Sequence, residues 1–209
     1  MSFTTDLINK CNEYTNIVIG GTKINLPYKL GAKNTPSKII LNLINSGKTG
    51  SALQTWATNN PDKTAVDCSG LVYYALNEAT GGAVRRYFEA KIPGTSLTYA
   101  YGISAANLTS TSYGSKLSRA ADMTPGCTIR FDNGGHVLVI TDVIKGSDGV
   151  VKQINYSHSN GSKGPHTGYI TISNQSSDLG SSSQKWVDKA YTDSQAKNYY
   201  NHTIRLNFL

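Results

Sequence analysis

The sequence predicts an α+β domain, with helices first and an antiparallel sheet second. Three observations carry this. In the first half of the chain, apolar residues recur at helical spacing in three separate segments. In the second half the pattern changes to short β-branched and aromatic runs. Clusters of Gly, Asp and Asn separate those runs, as turns between antiparallel strands do.

The elements follow in order. Thr4 or Thr5 can cap a first helix, with Leu7, Ile8, Cys11 and Tyr14 on one face, and Gly20-Gly21 ends that region. A second helix begins at Pro36, because a missing N–H costs nothing in a first turn. Asn34 or Thr35 is its cap, Ile39, Ile40, Leu43 and Ile44 its stripe, and Gly47 its terminator. Asn59-Asn60-Pro61-Asp62 reads as a turn. Asp67 caps a third helix that buries Leu71, Val72, Ala75 and Leu76 and closes at Gly81-Gly82. From Ala83 to Ala121 no period is legible.

Strands follow from Thr128 to Phe131, His136 to Ile144 and Val150 to His158, then from Tyr169 to Ile172 and Thr203 to Phe208. Asp132-Asn133-Gly134-Gly135 and Gly146-Ser147-Asp148-Gly149 are the turns between the first three. The Ser-rich stretch from Ser176 to Ser183 reads as a solvated loop. The whole chain, 1–209, is expected to form one domain. Residues 1–25 would be an N-terminal helical extension and 173–201 a loop-rich C-terminal excursion.

Composition narrows the function. At 209 residues the chain can bury a core without staples. Hydrophobic residues make up 38% and charged ones 16%, so the chain is polar without being highly charged; thirteen Tyr and the apolar runs argue against disorder. No run is long enough to span a bilayer, so no integral membrane association is expected. A net charge of +7 favours polyanions: nucleic acid, anionic membrane surfaces, teichoic acid or other anionic wall polymers, or acidic peptides. The positive residues are scattered except for Arg85-Arg86, so no nucleic-acid partner is expected. The three Cys form no CxxC pair and no disulfide framework, and no metal or cofactor is called for. The N-terminus lacks a signal-peptide pattern, which points to a chain that is cytoplasmic at synthesis.

The chemistry concentrates at Asp67-Cys68-Ser69-Gly70, at the start of the third helix. The positive end of the helix dipole favours a thiolate there, and Gly70 leaves space beside it. The plainer reading is a structural thiol in the core. A nucleophile needs a base, and His136 opens a strand just after Gly134-Gly135. If the next hairpin is symmetric about Ser147, Ile144 pairs with Val150, Ile140 with Ile154 and His136 with His158. The two imidazoles would then be neighbours, one a base and the other its orienter. A one-residue slip would send His158 to the other face.

Asp67-Cys68-Ser69-Gly70-Leu71-Val72, then Gly135-His136-Val137, then a His on the following strand resemble the NlpC/P60 family of papain-like cysteine peptidases of bacterial cell walls. Leu26-Pro27-Tyr28-Lys29-Leu30-Gly31 resembles that family's Pro-Tyr…Gly segment. Thr124 to Phe131 resembles its Pro-Gly-Asp strand opening, with Cys127 in place of Asp, which implies a structural thiol. Lys29 and Leu30 replace the common aromatic before Gly31, which implies altered subsites. The resemblance spans roughly residues 26 to 160. It implies a papain-like fold in which the nucleophile-bearing helix packs on a central antiparallel sheet. It further implies Cys68 as nucleophile, His136 as base and His158 as third residue, with His166 the competitor for that place. Tyr28, Asp67 and Ser69 would meet the substrate; His202 has no motif around it. The implied activity is hydrolysis of amide bonds in peptidoglycan stem peptides through a thioester. A protein without its own leader would be released or injected to reach the wall, as a phage lysin, tail-associated enzyme or antibacterial effector is. Transfer or deamidation chemistry on another substrate, and a non-catalytic wall-binding role, are the alternatives.

Overall fold

The computed structural model describes residues 2–92 and 103–209; the part of the unpatterned Ala83–Ala121 stretch that spans 93–102 lies outside them. Helix α1 (Phe3–Thr15) is capped by Ser2, one residue before it, in place of Thr4 or Thr5: Ser2 Oγ accepts from the Thr5 N–H. Leu7, Cys11 and Tyr14 are buried, and α1 packs on the central helix and on the sheet. The N-terminal segment is therefore part of the core. Gly20 and Gly21, both at positive φ, turn the small hairpin β1 (Val18–Ile19) to β2 (Thr22–Lys23).

Helix α2 (Pro36–Asn45) starts at Pro36 with Thr35 as its cap. Ile39 and Leu43 are buried while Ile44 is exposed, so the stripe is narrower than expected. Between the second and third expected helices lie two that the sequence reading did not place, α3 (Gly50–Asn59) and α4 (Pro61–Thr64), with Asn60 between them. The expected Asn59–Asp62 turn is this junction. Helix α5 (Cys68–Ala79) buries Cys68 to Tyr73, Ala75 and Leu76, nearly its whole circumference, as a helix at the centre of a core must. It closes where Gly82, in the left-handed region, donates to Asn77 O at 2.7 Å. Helices α6 (Ala83–Lys91) and α7 (Ala105–Leu108) follow.

The remaining strands are β3 (Gly114–Leu117), β4 (Thr128–Phe131), β5 (His136–Lys145), β6 (Val151–Asn160), β7 (Gly164–Thr171), β8 (Lys185–Val187) and β9 (Tyr200–Leu206), with α8 (Asp193–Tyr199) before the last. They form one sheet ordered β3-β9-β4-β5-β6-β7-β8, every neighbour antiparallel. This bears out the α+β class. Both faces of the sheet are covered. Val137 and Val139 join α1 and α5 on one side; Leu138, Ile140 and Ile154 join Trp186, Leu179 and Ala196 on the other. The C-terminal excursion is thus the cover of the second face. The Ser176–Ser183 stretch is not wholly solvated, because Leu179 is fully buried and its carbonyl accepts from the Trp186 indole at 2.8 Å.

The β5–β6 register differs from the symmetric one. The ladder closes at Lys145↔Val151, because Asp148 Oδ1 caps the Val150 N–H and centres the turn on Asp148. Ile140 therefore faces Tyr156, where Ile154 was expected, a shift of two residues. Two bulges also interrupt the ladder, with Lys152 the extra residue on β6 and Thr141 on β5. Each alone would exchange the faces beyond it; together they cancel. His136 and His158 end diagonal rather than opposite, but on one face.

Among the described residues, no helix is long and apolar enough to cross a membrane. The Leu26–Tyr28 segment crosses the start of β7 so closely that a Cβ on Gly164 would lie 2.0 Å from Leu26 O, and Gly164 has φ +63°. Gly164→Ala is expected to lower stability by about 2–4 kcal/mol, measured by urea unfolding. A cost within ~0.5 kcal/mol would refute this account of the packing.

Candidate active site

Asp67 organises the surroundings of Cys68. Its Oδ1 caps α5 by accepting from Gly70 N at 2.7 Å, and its Oδ2 accepts from Gly31 N at 3.0 Å. Lys33 Nζ donates to Oδ1 at 2.7 Å and also bonds to Ser69 Oγ, and both members of this ion pair are largely buried. A Cβ on Gly70 would come within 3.1 Å of Val66, Asp67 and Lys33. Gly70 therefore makes room for the ion pair rather than for a ligand. Asp67 and Ser69 line the cleft beside Cys68, but their polar atoms are taken up by these internal bonds. What they do is hold Cys68 and tie Gly31, hence the Tyr28 segment, to the helix.

Cys68 is 3% exposed. Burial raises its pKa above the usual thiol value, and the Asp67 carboxylate raises it further. The Val137 N–H, Lys33 and the Ser69 N–H oppose this without cancelling it. This runs against the expected resting thiolate: desolvation and the adjacent carboxylate favour the protonated thiol. The thiol needs a base. Tyr28 lies beside it: burial first, then Cys68 and Asp67, push the Tyr28 hydroxyl well above its ordinary pKa. Cys68 also shares an open cleft of about 420 Å³ with Leu30, Gly31, Ile103, Gly134 and Gly135.

The histidines form a chain beside this cleft. His136 Nε2 lies 2.9 Å from His158 Nδ1, and His158 Nε2 lies 3.0 Å from Asp188 Oδ2. His166 Nε2 lies 3.2 Å from Asp188 Oδ1. The three rings are 8%, 0% and 4% exposed. Asp188 also accepts from Tyr156 Oη at 2.9 Å, Ala190 N at 2.7 Å and Tyr191 N at 3.2 Å. Burial pushes its carboxyl pKa up, but the bonds from His158 and His166 outweigh this and hold it well below the carboxylate range.

An ionised carboxylate only accepts. His158 must therefore carry its proton on Nε2, which leaves Nδ1 as an acceptor for His136 Nε2–H. His136 Nδ1 is then a bare lone pair. Burial, and next the neighbouring imidazoles, depress the His136 pKa well below 6.5. Burial also depresses His158, against the pull of Asp188. At neutral pH both rings are neutral and the tautomers stand as derived.

The structure thus brings together His136, His158 and Asp188, and separately Cys68, Tyr28 and the N–H of Val137, the residue after His136. Among the described residues, no hydrogen bond joins Cys68 Sγ to His136. His166 touches Asp188, not His136. His202 donates to Thr109 O outside the cluster, and Cys127 is a buried thiol beside Thr124. Two residues were missed in the sequence. Asp188 is one, and Tyr191, which stacks on His158 at 5.9 Å, is the other. The one local signal for Asp188 is that it caps its own turn through Ala190 and Tyr191. Comparison with protein-family models, curated proteins and solved structures finds no match for this chain.

Depressed histidine pKa values mean the unfolded chain binds protons first. Their effect on stability appears as pH falls below about 6.5, and that of Asp188 as pH falls below about 3.8. The thermal midpoint is expected to drop between about pH 7 and about pH 5, and His136→Gln to flatten that slope. An unchanged slope in calorimetric scans would refute the buried, neutral assignment.

Proposed function

We propose that this chain is a papain-like cysteine hydrolase of the NlpC/P60 type that cleaves amide bonds in peptidoglycan stem peptides. The observation that carries the reading is the Asp188–His158–His136 chain. It ends in a free imidazole lone pair at the strand whose next N–H donates to the sulfur at the start of α5.

The residues act as follows. Cys68 sulfur attacks the scissile carbonyl carbon as His136 Nδ1 takes the thiol proton. With the thiol pKa raised and the imidazole pKa lowered, transfer accompanies attack and no stable ion pair precedes it. His158, anchored by Asp188, accepts from His136 Nε2 throughout and keeps Nδ1 aimed at the reacting atoms. The Cys68 N–H in the first turn of α5 and the Tyr28 hydroxyl stabilise the oxyanion. His136 then gives its proton to the leaving amine, and a thioester remains. Water attacks the thioester, His136 takes the water proton, and it returns that proton to sulfur. The net charge of +7 suits work on an anionic wall, which a phage- or secretion-delivered enzyme would reach.

The test is digestion of purified peptidoglycan, followed by mass spectrometry of the fragments. Wild type should create new amino and carboxyl ends. Cys68→Ala and His136→Ala should lose on the order of 10⁴-fold or more, and Asp188→Asn on the order of 10²-fold. A folded wild type that opens no bond in several wall chemotypes, or a fully active Cys68→Ala, would sink the proposal. Products joined to an added amine would redirect it to acyl transfer.

A further inference from the structure

His166 presents a mismatch that the mechanism does not use. Its Nδ1 lies 2.8 Å from the carbonyl oxygen of Gly164, so Nδ1 must carry a proton and donate it. Its Nε2 points at Asp188 Oδ1, a second acceptor, at 3.2 Å. A neutral imidazole has one N–H, and here Gly164 takes it. A lone pair and a carboxylate oxygen then face each other and need a cation between them. A proton is one answer. A metal ion is the other, and a ring N–H donated to a backbone carbonyl is how a metal-binding histidine is usually held. The nitrogen of His158 facing the same carboxylate supplies a third donor. One ligand atom each from His158, His166 and Asp188 all lie within 4.8 Å of one another. His158 Nε2 lies 3.0 Å from Asp188 Oδ2 and His166 Nε2 lies 3.2 Å from its Oδ1, so whichever oxygen binds has one imidazole nitrogen already near the roughly 3.3 Å between ligands on a tetrahedral ion. The Tyr156 hydroxyl, 2.9 Å from Asp188 Oδ2, keeps the carboxylate oriented. His166 lines one open cavity and Asp188 another, so the cluster lies between two clefts.

We propose that His158, His166 and Asp188 form an inhibitory site for a divalent transition ion of the zinc class. Two nitrogens and one carboxylate oxygen suit that class better than magnesium or calcium. The ion itself requires only these three residues; its inhibitory effect rests on the relay proposed above. To bind metal through Nε2, His158 must lose the proton there. The proton of His136 Nε2 crosses the 2.9 Å bond to His158 Nδ1, and His136 takes one from water on its own Nδ1. Nε2 of His166 coordinates through the lone pair that its bond to Gly164 leaves free. One proton leaves and one is taken up, so binding is proton-neutral. The hydrogen bond between the rings survives with its direction reversed, and the lone pair that faced the reacting atoms is gone. The metal switches off the base without touching Cys68.

The test uses the full chain with Cys68→Ala, so that the thiol cannot hold the ion, titrated calorimetrically with zinc chloride. One zinc per chain is expected. Adding His166→Gln should weaken binding by at least about 10²-fold, while adding His202→Gln should leave it unchanged. No binding to Cys68→Ala, or binding indifferent to His166→Gln, would overturn the site. A second arm follows alkylation of Cys68 by iodoacetamide in the chain with its native thiol. Cys11, its thiol pushed up to about 12 by burial, and the buried Cys127 should react slowly. Zinc should slow Cys68 by about tenfold or more, and His166→Gln should abolish the zinc effect. Slowing that persists in His166→Gln places the ion on sulfur and overturns the switch. Neither arm uses a wall substrate, so a failed zinc site and a failed hydrolase assignment are read separately.

Discussion

The Asp188 carboxylate, fully buried as a side chain, is the constraint from which the rest of the site follows. An ionised carboxylate in the interior is tolerable only when donors surround it, and four converge on this one from β6 and its own turn. Because it can only accept, it dictates where the proton sits on His158, and through His158 where it sits on His136. The β6–β7 pairing supports this geometry. Tyr156 lies opposite Gly168, where a Cβ would stand 2.4 Å from the Tyr156 ring. A side chain there would displace the ring whose hydroxyl reaches Asp188.

A second buried charge, Asp67, does the corresponding work at the sulfur. It caps α5, pairs with Lys33 and holds Gly31, so helix start and Tyr28 segment move as one piece. The same carboxylate raises the thiol pKa. The arrangement holds Cys68 as a rigid, protonated thiol at the start of the helix. A buried pair of this kind is a device of position more than of net stability.

Much of this was legible in the sequence. Asp67 as cap, Cys68 at the helix start and the five long strands follow from spacing and turn residues, because those signals are local. The pairing of His136 with His158 was right as to face and wrong as to register, because side-chain capping by Asp148 centres the turn one residue beyond Ser147. Helices α3 and α4 were hidden because their buried residues are few: Leu53, Ala57 and Thr64. Asp188 was hidden because its side-chain partners in the site are non-local, His158 and His166 lying thirty and twenty-two residues earlier. A solvated-looking composition around Ser176–Ser183 concealed the one leucine that pins that segment.

The paired bulges at Thr141 and Lys152 bear on how such a chain can diverge. Parity along the hairpin behaves as a conserved quantity: every inserted or deleted residue inverts the sheet beyond it, and only an even number of such events returns the imidazoles to one side. An odd count would part His136 from His158. The length of the hairpin is thus held by the same parity that decides which face the two rings share, a constraint separate from the identity of the residues between them.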